Sequence, residues 1–359
     1  MNMNPYRLLT FIAAVVLSTA ASAATQYTAT PLGLLPGGHF LDASAINDSG
    51  EVTGYGYSDG TNLGFFWQQG QLSSLGTLPG STTSGGYDIN NAGTIAGSSG
   101  SDAFIWQNGQ MSMLPRATGA SWANANAINA SGQVAGSSGT PPTSSAAVWT
   151  NGQIALLPGL VGQPHSVATG INANGVIVGI SYSESYNASA VTWQNGQAVQ
   201  LSSGPFSHAG ATDINNGGAI AGFVDVGGNR SQAARWDNGQ ITLLDNLAGI
   251  QDARAYAINN DGVVVGSSFG SGTSVATIWE GSNAQSLQGL LVNGEGWELR
   301  QAQDINASGQ IVGWGSLNGQ AQSFVLTPVP EGASAAYMLV GLMGLAAARR
   351  RKEQSAKDC

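Results

Sequence analysis

Carboxylates, histidines and an Asn-rich turn are the residues of this chain with chemical capacity. Glu184 and Glu298 could act as acid and base in glycoside cleavage if folding held two carboxyls about 5–9 Å apart. His165 or His208 beside Tyr182 could exchange a proton in a lyase. The three histidines, His39, His165 and His208, are too dispersed for a zinc signature, and no nucleophile elbow appears. "INNDG" at 258–262 has the residue types of a calcium loop. Most of its copies elsewhere lack a carboxylate between Asn and Gly, so the turn reading prevails. No metal, cofactor or catalytic residue is expected, and a carbohydrate-active enzyme is the alternative to a binding protein.

That turn recurs seven times. Ile-Asn steps stand at Ile46, Ile89, Ile128, Ile171, Ile214, Ile258 and Ile305, spaced 43, 39, 43, 43, 44 and 47 residues apart. A period in the forties marks a repeat architecture. Each step opens a turn in which the Asn side chain can bond the backbone and the Gly three residues on takes the left-handed conformation. The pairs are Asn47–Gly50, Asn90–Gly93, Asn129–Gly132, Asn172–Gly175, Asn215–Gly218, Asn259–Gly262 and Asn306–Gly309. A second turn, "WQNGQ" at 106–110 and 193–197 with variants elsewhere, is the two-residue Asn-Gly hairpin signal.

Each unit therefore holds four antiparallel strands. Seven such units predict an all-β, seven-bladed propeller over 24–328. The last unit lacks a fourth strand, and "YTATPLGLLPGG" at 27–38 reads as the missing one, so the N-terminal strand is expected to complete the last blade. Small residues before each Ile-Asn suit a crowded inner strand. Trp67, Trp106, Trp149, Trp193, Trp236 and Trp279 end the third strands. At one shared register they are expected to pack between blades.

Strand parity puts both tight turns on one face. The loops that vary in length and content lie on the other, where function usually sits on a rigid scaffold. Its candidate ligand-binding residues are Tyr55, Tyr57, Asp59, Trp122, Tyr182, Glu184, Tyr186, Trp297, Glu298, Arg300 and Trp314. Asp225 and Arg230 in "DVGGNR" and Asp252 and Arg254 in "QDARA" belong to the same face. Rings beside carboxylates and amides suit a glycan, with flat rings covering sugar C–H faces.

The ends differ from the repeats. Residues 1–23 hold an apolar run and the small-residue site "ASA", the pattern of a signal peptide cleaved after Ala23. Residues 329–359 hold a box at 329–332 (Val329-Pro330-Glu331-Gly332), an apolar stretch at 333–348 and a basic end at 349–352. This layout resembles the bacterial PEP-CTERM sorting tail, here without its second proline. The resemblance implies transient anchoring in the inner membrane by the C-terminal helix, then processing by an exosortase-type enzyme. Between the ends, five Arg, no Lys and seventeen Asp plus Glu give a net charge near −12, which argues against nucleic acid. The one cysteine, Cys359, lies in the tail, so the repeats carry no disulfide.

"YTATPLGLLPGG", "AINDSGEVTGYGYS" and "LGFFWQQGQLSSLGTLPG" together resemble the bacterial extracellular HAF-repeat proteins, over about 24–327. All seven turns match. The His of the family's His-Ala-Phe segment is absent, the nearest copy being Asp102-Ala103-Phe104. The resemblance implies an exported, cell-surface or extracellular location. The function expected from the whole reading is a monomeric binding or scaffold propeller, partnered by a polysaccharide or a surface protein.

Overall fold

A computed structural model describes residues 24–330 apart from positions 271 and 293. The expected signal peptide, Glu331 and the expected C-terminal helix lie outside the described residues. Within them the chain forms 28 strands and one short 3-10 helix, Leu287–Leu290. No described helix is long and apolar enough to cross a membrane.

The strands make seven four-stranded antiparallel sheets. Blade 1 is Leu41–Ile46, Val52–Ser58, Thr61–Gln68 and Gln71–Gly76. Blades 2 to 6 repeat this order over 84–113, 122–157, 165–200, 209–243 and 252–286. Blade 7 runs from Trp297–Ile305 through Ile311–Leu317 to Gln320–Pro328, and Tyr27–Pro31 is its fourth strand. Thr30 stands opposite Val325 in that pairing. The first strand of each blade touches the first strands of both neighbours, including blade 1 against blade 7. These first strands line the axis.

Local chemistry explains the blade. The Asn-Gly hairpins take positive φ at both central residues, as at Asn108 (51°) and Gly109 (81°), which matches strand twist. Every inner strand also breaks register between Ala43 and Ala45 in blade 1 and at the matching place in the other six, and blade 7 breaks a second time between Leu299 and Gln301. Such a bulge re-aims one side chain. Opposite it stands the glycine that closes the Gly-x-Val/Ile-x-Gly motif. A Cβ on Gly54 would overlap the Asp42 carbonyl oxygen, and Gly97, Gly136, Gly179, Gly222, Gly266 and Gly313 meet the same obstacle.

The core is divided among the blade interfaces. One cluster joins Ala127, Ala135 and Ala146 of blade 3 to Ile171, Val191 and Trp193 of blade 4, and others repeat the scheme around the ring. Five third-strand tryptophans are buried, as expected from their register. Trp106 departs from that expectation: it is only partly buried and lies against Phe66, ring centroids 5.4 Å apart, while Phe104 fills the core. Trp149, Trp193, Trp236 and Trp279 each donate their indole N–H to a carbonyl in the strand-exit loop of the preceding blade. Burial of an indole contributes up to about 5 kcal/mol.

Candidate functional site

The turn face was expected to be chemically silent, and its axial end is not. Each Asn of the seven steps accepts at its side-chain oxygen from its own turn, as Asn47 does from Ser49 N and Glu51 N at 3.0 Å. Its side-chain N–H donates to the backbone carbonyl of the next Asn. The series runs Asn47 to Asn90, Asn129, Asn172, Asn215, Asn259, Asn306 and back to Asn47, at 2.9–3.4 Å. These steps surround an axial cavity of about 200 Å³. Sequence reasoning treated the Asn as a turn residue alone. A signal was available: that turn position also accepts Asp or Ser, yet all seven copies have Asn, the one of the three that carries an amide donor.

One residue before the Ile, three blades place a carboxylate: Asp88, Asp213 and Asp304. Each accepts from the N–H of its own Ile and of the next blade's Ile, as Asp304 does from Ile305 and Ile46 at 2.7 and 2.8 Å. Burial pushes Asp88 up to about 6 and Asp304 up to about 8, outweighing the N–H bonds. Asp213 is raised for the same reason. Mutual repulsion adds to the effect at Asp88 and Asp304. The remaining blades have Ala45, Ala127, Gly170 and Ala257 at that level, so no two neighbouring blades both carry the charge.

The variable face divides the expected site residues among three places, with Trp122 apart from them on blade 3. On blade 1, Tyr55 donates to Asp42 at 3.2 Å, and Tyr57 packs on His39 with ring centroids 4.3 Å apart. Both belong to the strand Val52–Ser58 rather than to a loop. Asp59 sits at the tip of the following turn with φ 45°. Between blades 6 and 7, Glu298 and Arg300 line a cleft of about 580 Å³, where they pair with each other at 3.1 Å. Trp297 is buried against Phe324, and Trp314 donates to Gln301 from within a strand. Trp122 opens the inner strand of blade 3, half-buried. All three tryptophans stand on strands rather than in loops, and Trp297, packed at its blade interface, also lines the cleft between blades 6 and 7.

Glu184 and Glu298 are not brought together. Glu184 bonds His165 at 3.2 Å on blade 4, and Glu298 belongs to blade 7. His165 is itself buried under Tyr182, ring centroids 5.1 Å apart, so it does not offer a free ring to substrate.

The third place, where blades 4, 5 and 6 meet, is the richest. Tyr182 and Tyr186 stack with planes 8° apart and centroids at 6.2 Å, and Tyr186 is 77% exposed. Tyr186 also lines a cleft of about 410 Å³ with His208, Phe223, Asp225, Asn229, Arg230, Ser231, Arg254 and Phe269. Asp225 is held by Gly227 N at 2.8 Å and faces His208 Nδ1 at 3.4 Å. His208 Nε2 lies 3.0 Å from Asn187 Oδ1. The Arg254 guanidinium stands 4.3 Å over the Phe223 ring and donates to Ser231. The cleft thus offers a stacking face, a hydroxyl acceptor and guanidinium donors within one concave surface.

No family model matches the chain, and no curated protein does either. Solved structures share the fold at low identity. A puromycin-hydrolyzing peptidase of Mycobacterium tuberculosis is 12% identical over 80% of this chain, with a TM-score of 0.55. The chain spans about half (51%) of that peptidase's length. The β-propeller domain of the Trilobed protease from Pyrococcus furiosus is 10% identical over 80% of this chain and 94% of its own, TM-score 0.49. The WD40 propeller domain of Doa1 is 14% identical over 84% and 97%, TM-score 0.47. At such identities the likeness concerns the propeller fold alone. Phe223, Phe269 and Asn187 went unnoticed in the sequence because nothing in their local pattern distinguishes a cleft wall from a strand interior. Among the described residues, no three His, Cys, Asp or Glu side chains come together as a metal site would need.

Proposed function

We propose that this chain is an exported, cell-surface or matrix-associated propeller that binds or scaffolds polysaccharide and catalyses no reaction. In this reading Tyr27–Pro31 closes the ring, residues 329–359 sort the protein to the surface, and the rigid propeller presents its variable face to the matrix. The supporting observation is the cleft at blades 4 to 6. An exposed tyrosine backed by a second ring offers a flat, pre-stacked surface to sugar C–H groups. Asp225, already oriented by Gly227 and His208, accepts hydroxyl protons.

Turnover is disfavoured by arrangement. Glycoside cleavage needs two carboxyls across one bond, and Glu184 and Glu298 stand in separate places. The enzyme reading keeps one foothold, the His165–Glu184 pair at 3.2 Å beside Tyr182. A glycan array with the full-length protein, run with a reducing-sugar release assay on each binder, separates the two. Binding without release is expected. Release that disappears in Glu184→Gln would overturn the proposal in favour of the enzyme.

A further inference from the structure

We infer that the cleft at blades 4 to 6 takes an acidic sugar, with Arg230 and Arg254 holding the ligand's carboxylate; this rests on the polysaccharide-binding reading above. The distribution of cations carries the argument. Residues 24–330 contain five arginines and no lysine. Arg116, Arg235 and Arg300 each pair with a carboxylate, Asp102, Asp237 and Glu298, at 2.6–3.1 Å. Arg230 and Arg254 pair with none among the described residues, and both line this one cleft. Both are exposed.

Each guanidinium has donors to spare. A guanidinium carries five N–H bonds. Arg254 gives Nε–H to Ser231 and Arg230 gives one N–H to the Gln251 carbonyl, at 3.3 and 3.2 Å. The planar fork matches a carboxylate better than an ammonium would. The Phe223 ring, 4.3 Å below, supports the Arg254 guanidinium within the cleft. Neither nearby carboxylate pairs with these arginines: Asp225 accepts from Gly227 N and faces His208, and Asp252 accepts from Ser231 N at 2.9 Å.

Net charge limits the ligand further. A domain near −12 repels a polymer that is charged at every unit, while two local cations still capture an isolated carboxylate, because repulsion from distant charges is screened beyond about 8 Å in physiological salt. The ligand is therefore a glycan with uronic acids spaced by neutral sugars, one carboxylate on the arginines and a neighbouring ring on Tyr186.

The test is calorimetric titration of the full-length protein with two probes: aldotetraouronic acid, a xylotriose bearing one methylglucuronate, and xylotriose itself. The acidic probe is expected to bind at least tenfold more tightly. Arg254→Gln or Arg230→Gln should bring the two within twofold, and Arg116→Gln should change neither. Tyr186→Ala should weaken both probes. Equal affinities unaffected by either arginine would overturn the acidic-sugar assignment and leave the polysaccharide reading standing. Silence to both probes and across the glycan array would remove both. Arg254-dependent binding of single-stranded DNA or a phosphopeptide in preference to the acidic probe would overturn the assignment to sugar.

Discussion

Asn306 donates its side-chain amide to the Asn47 carbonyl at 2.9 Å, joining residues 259 positions apart. This bond is chemically the same as the six between consecutive repeats. The contact between the seventh and first blades is thus made like every other blade interface. It also separates two tasks done by one side chain, since the oxygen secures the local turn and the nitrogen secures the neighbouring blade.

Asn172→Asp divides those tasks. Aspartate keeps the acceptor that serves Asn174 N and Val176 N at 3.0 Å, and it is a good turn residue. It loses the donor to the Asn215 carbonyl and sets a buried charge against that oxygen. A loss of about 2–3 kcal/mol is expected in urea unfolding at pH 7. An unchanged midpoint would return the Asn to a plain turn role. Asn108→Asp, at an exposed hairpin tip whose two-residue turn also accepts Asp, should move stability by about 0.5 kcal/mol or less.

Two glycines of one repeat carry a second contrast. Gly132 has φ 80° with open space around it, so Gly132→Ala meets only left-handed strain, about 1–2 kcal/mol. Gly136 has no such φ, but its added Cβ would overlap the Asn124 carbonyl oxygen of the inner strand. Backbone cannot yield as a side-chain tip does. Gly136→Ala is expected to cost about 3 kcal/mol or more, enough to separate the two variants by thermal melting.

The repeat was legible in the sequence because its signals are local. Ile-Asn-x-x-Gly and Trp-x-Asn-Gly each encode a turn within five residues, and their period dictates blade number. The Asn ring was hidden because its bonds run between repeats, which no local pattern shows. Trp297 and Tyr182 were equivalent as sequence, both aromatic and outside the repeating register. Packing separates them: Trp297 meets Phe324 in the interior, while Tyr182 lies under Tyr186 at the surface. The cleft was legible in part through His208, Asp225, Arg230 and Arg254, each in a segment that varies between copies. Their convergence needed three blades in space.

The axial carboxylates make stability fall as pH rises. Asp88 and Asp304 have folded-state values raised to about 6 and 8 from an ordinary 3.8, so between pH 4 and 8 the folded protein holds more protons than the unfolded chain. The stabilisation is complete below about pH 4 and is lost as pH passes through the raised values. Melting temperature should therefore decline from pH 5 to pH 8, opposite to the trend that salt-bridged carboxylates produce. Asp304→Asn, which keeps an acceptor for one Ile N–H and cannot ionise, should flatten the decline. A melting temperature that rises over this range in the parent protein would refute the axial account.

The strand Tyr27–Pro31 gives a separate alkaline signature. Tyr27 is buried, and its carbonyl accepts from Val292 N at 2.8 Å while its strand pairs with Gln320–Pro328. Burial, with a smaller contribution from Glu280, raises the Tyr27 phenol to about 12 from 10. Its neutral form is favoured in the fold, so this stability is intact below pH 10 and lost as pH climbs through 12. Tyr27→Phe removes the titrating group and keeps the ring. Near pH 11 the parent protein should lose protection from proteolysis around residues 27–31 before its other blades do, and Tyr27→Phe should retain it. Equal loss in both proteins would place the weak point of the ring at another interface.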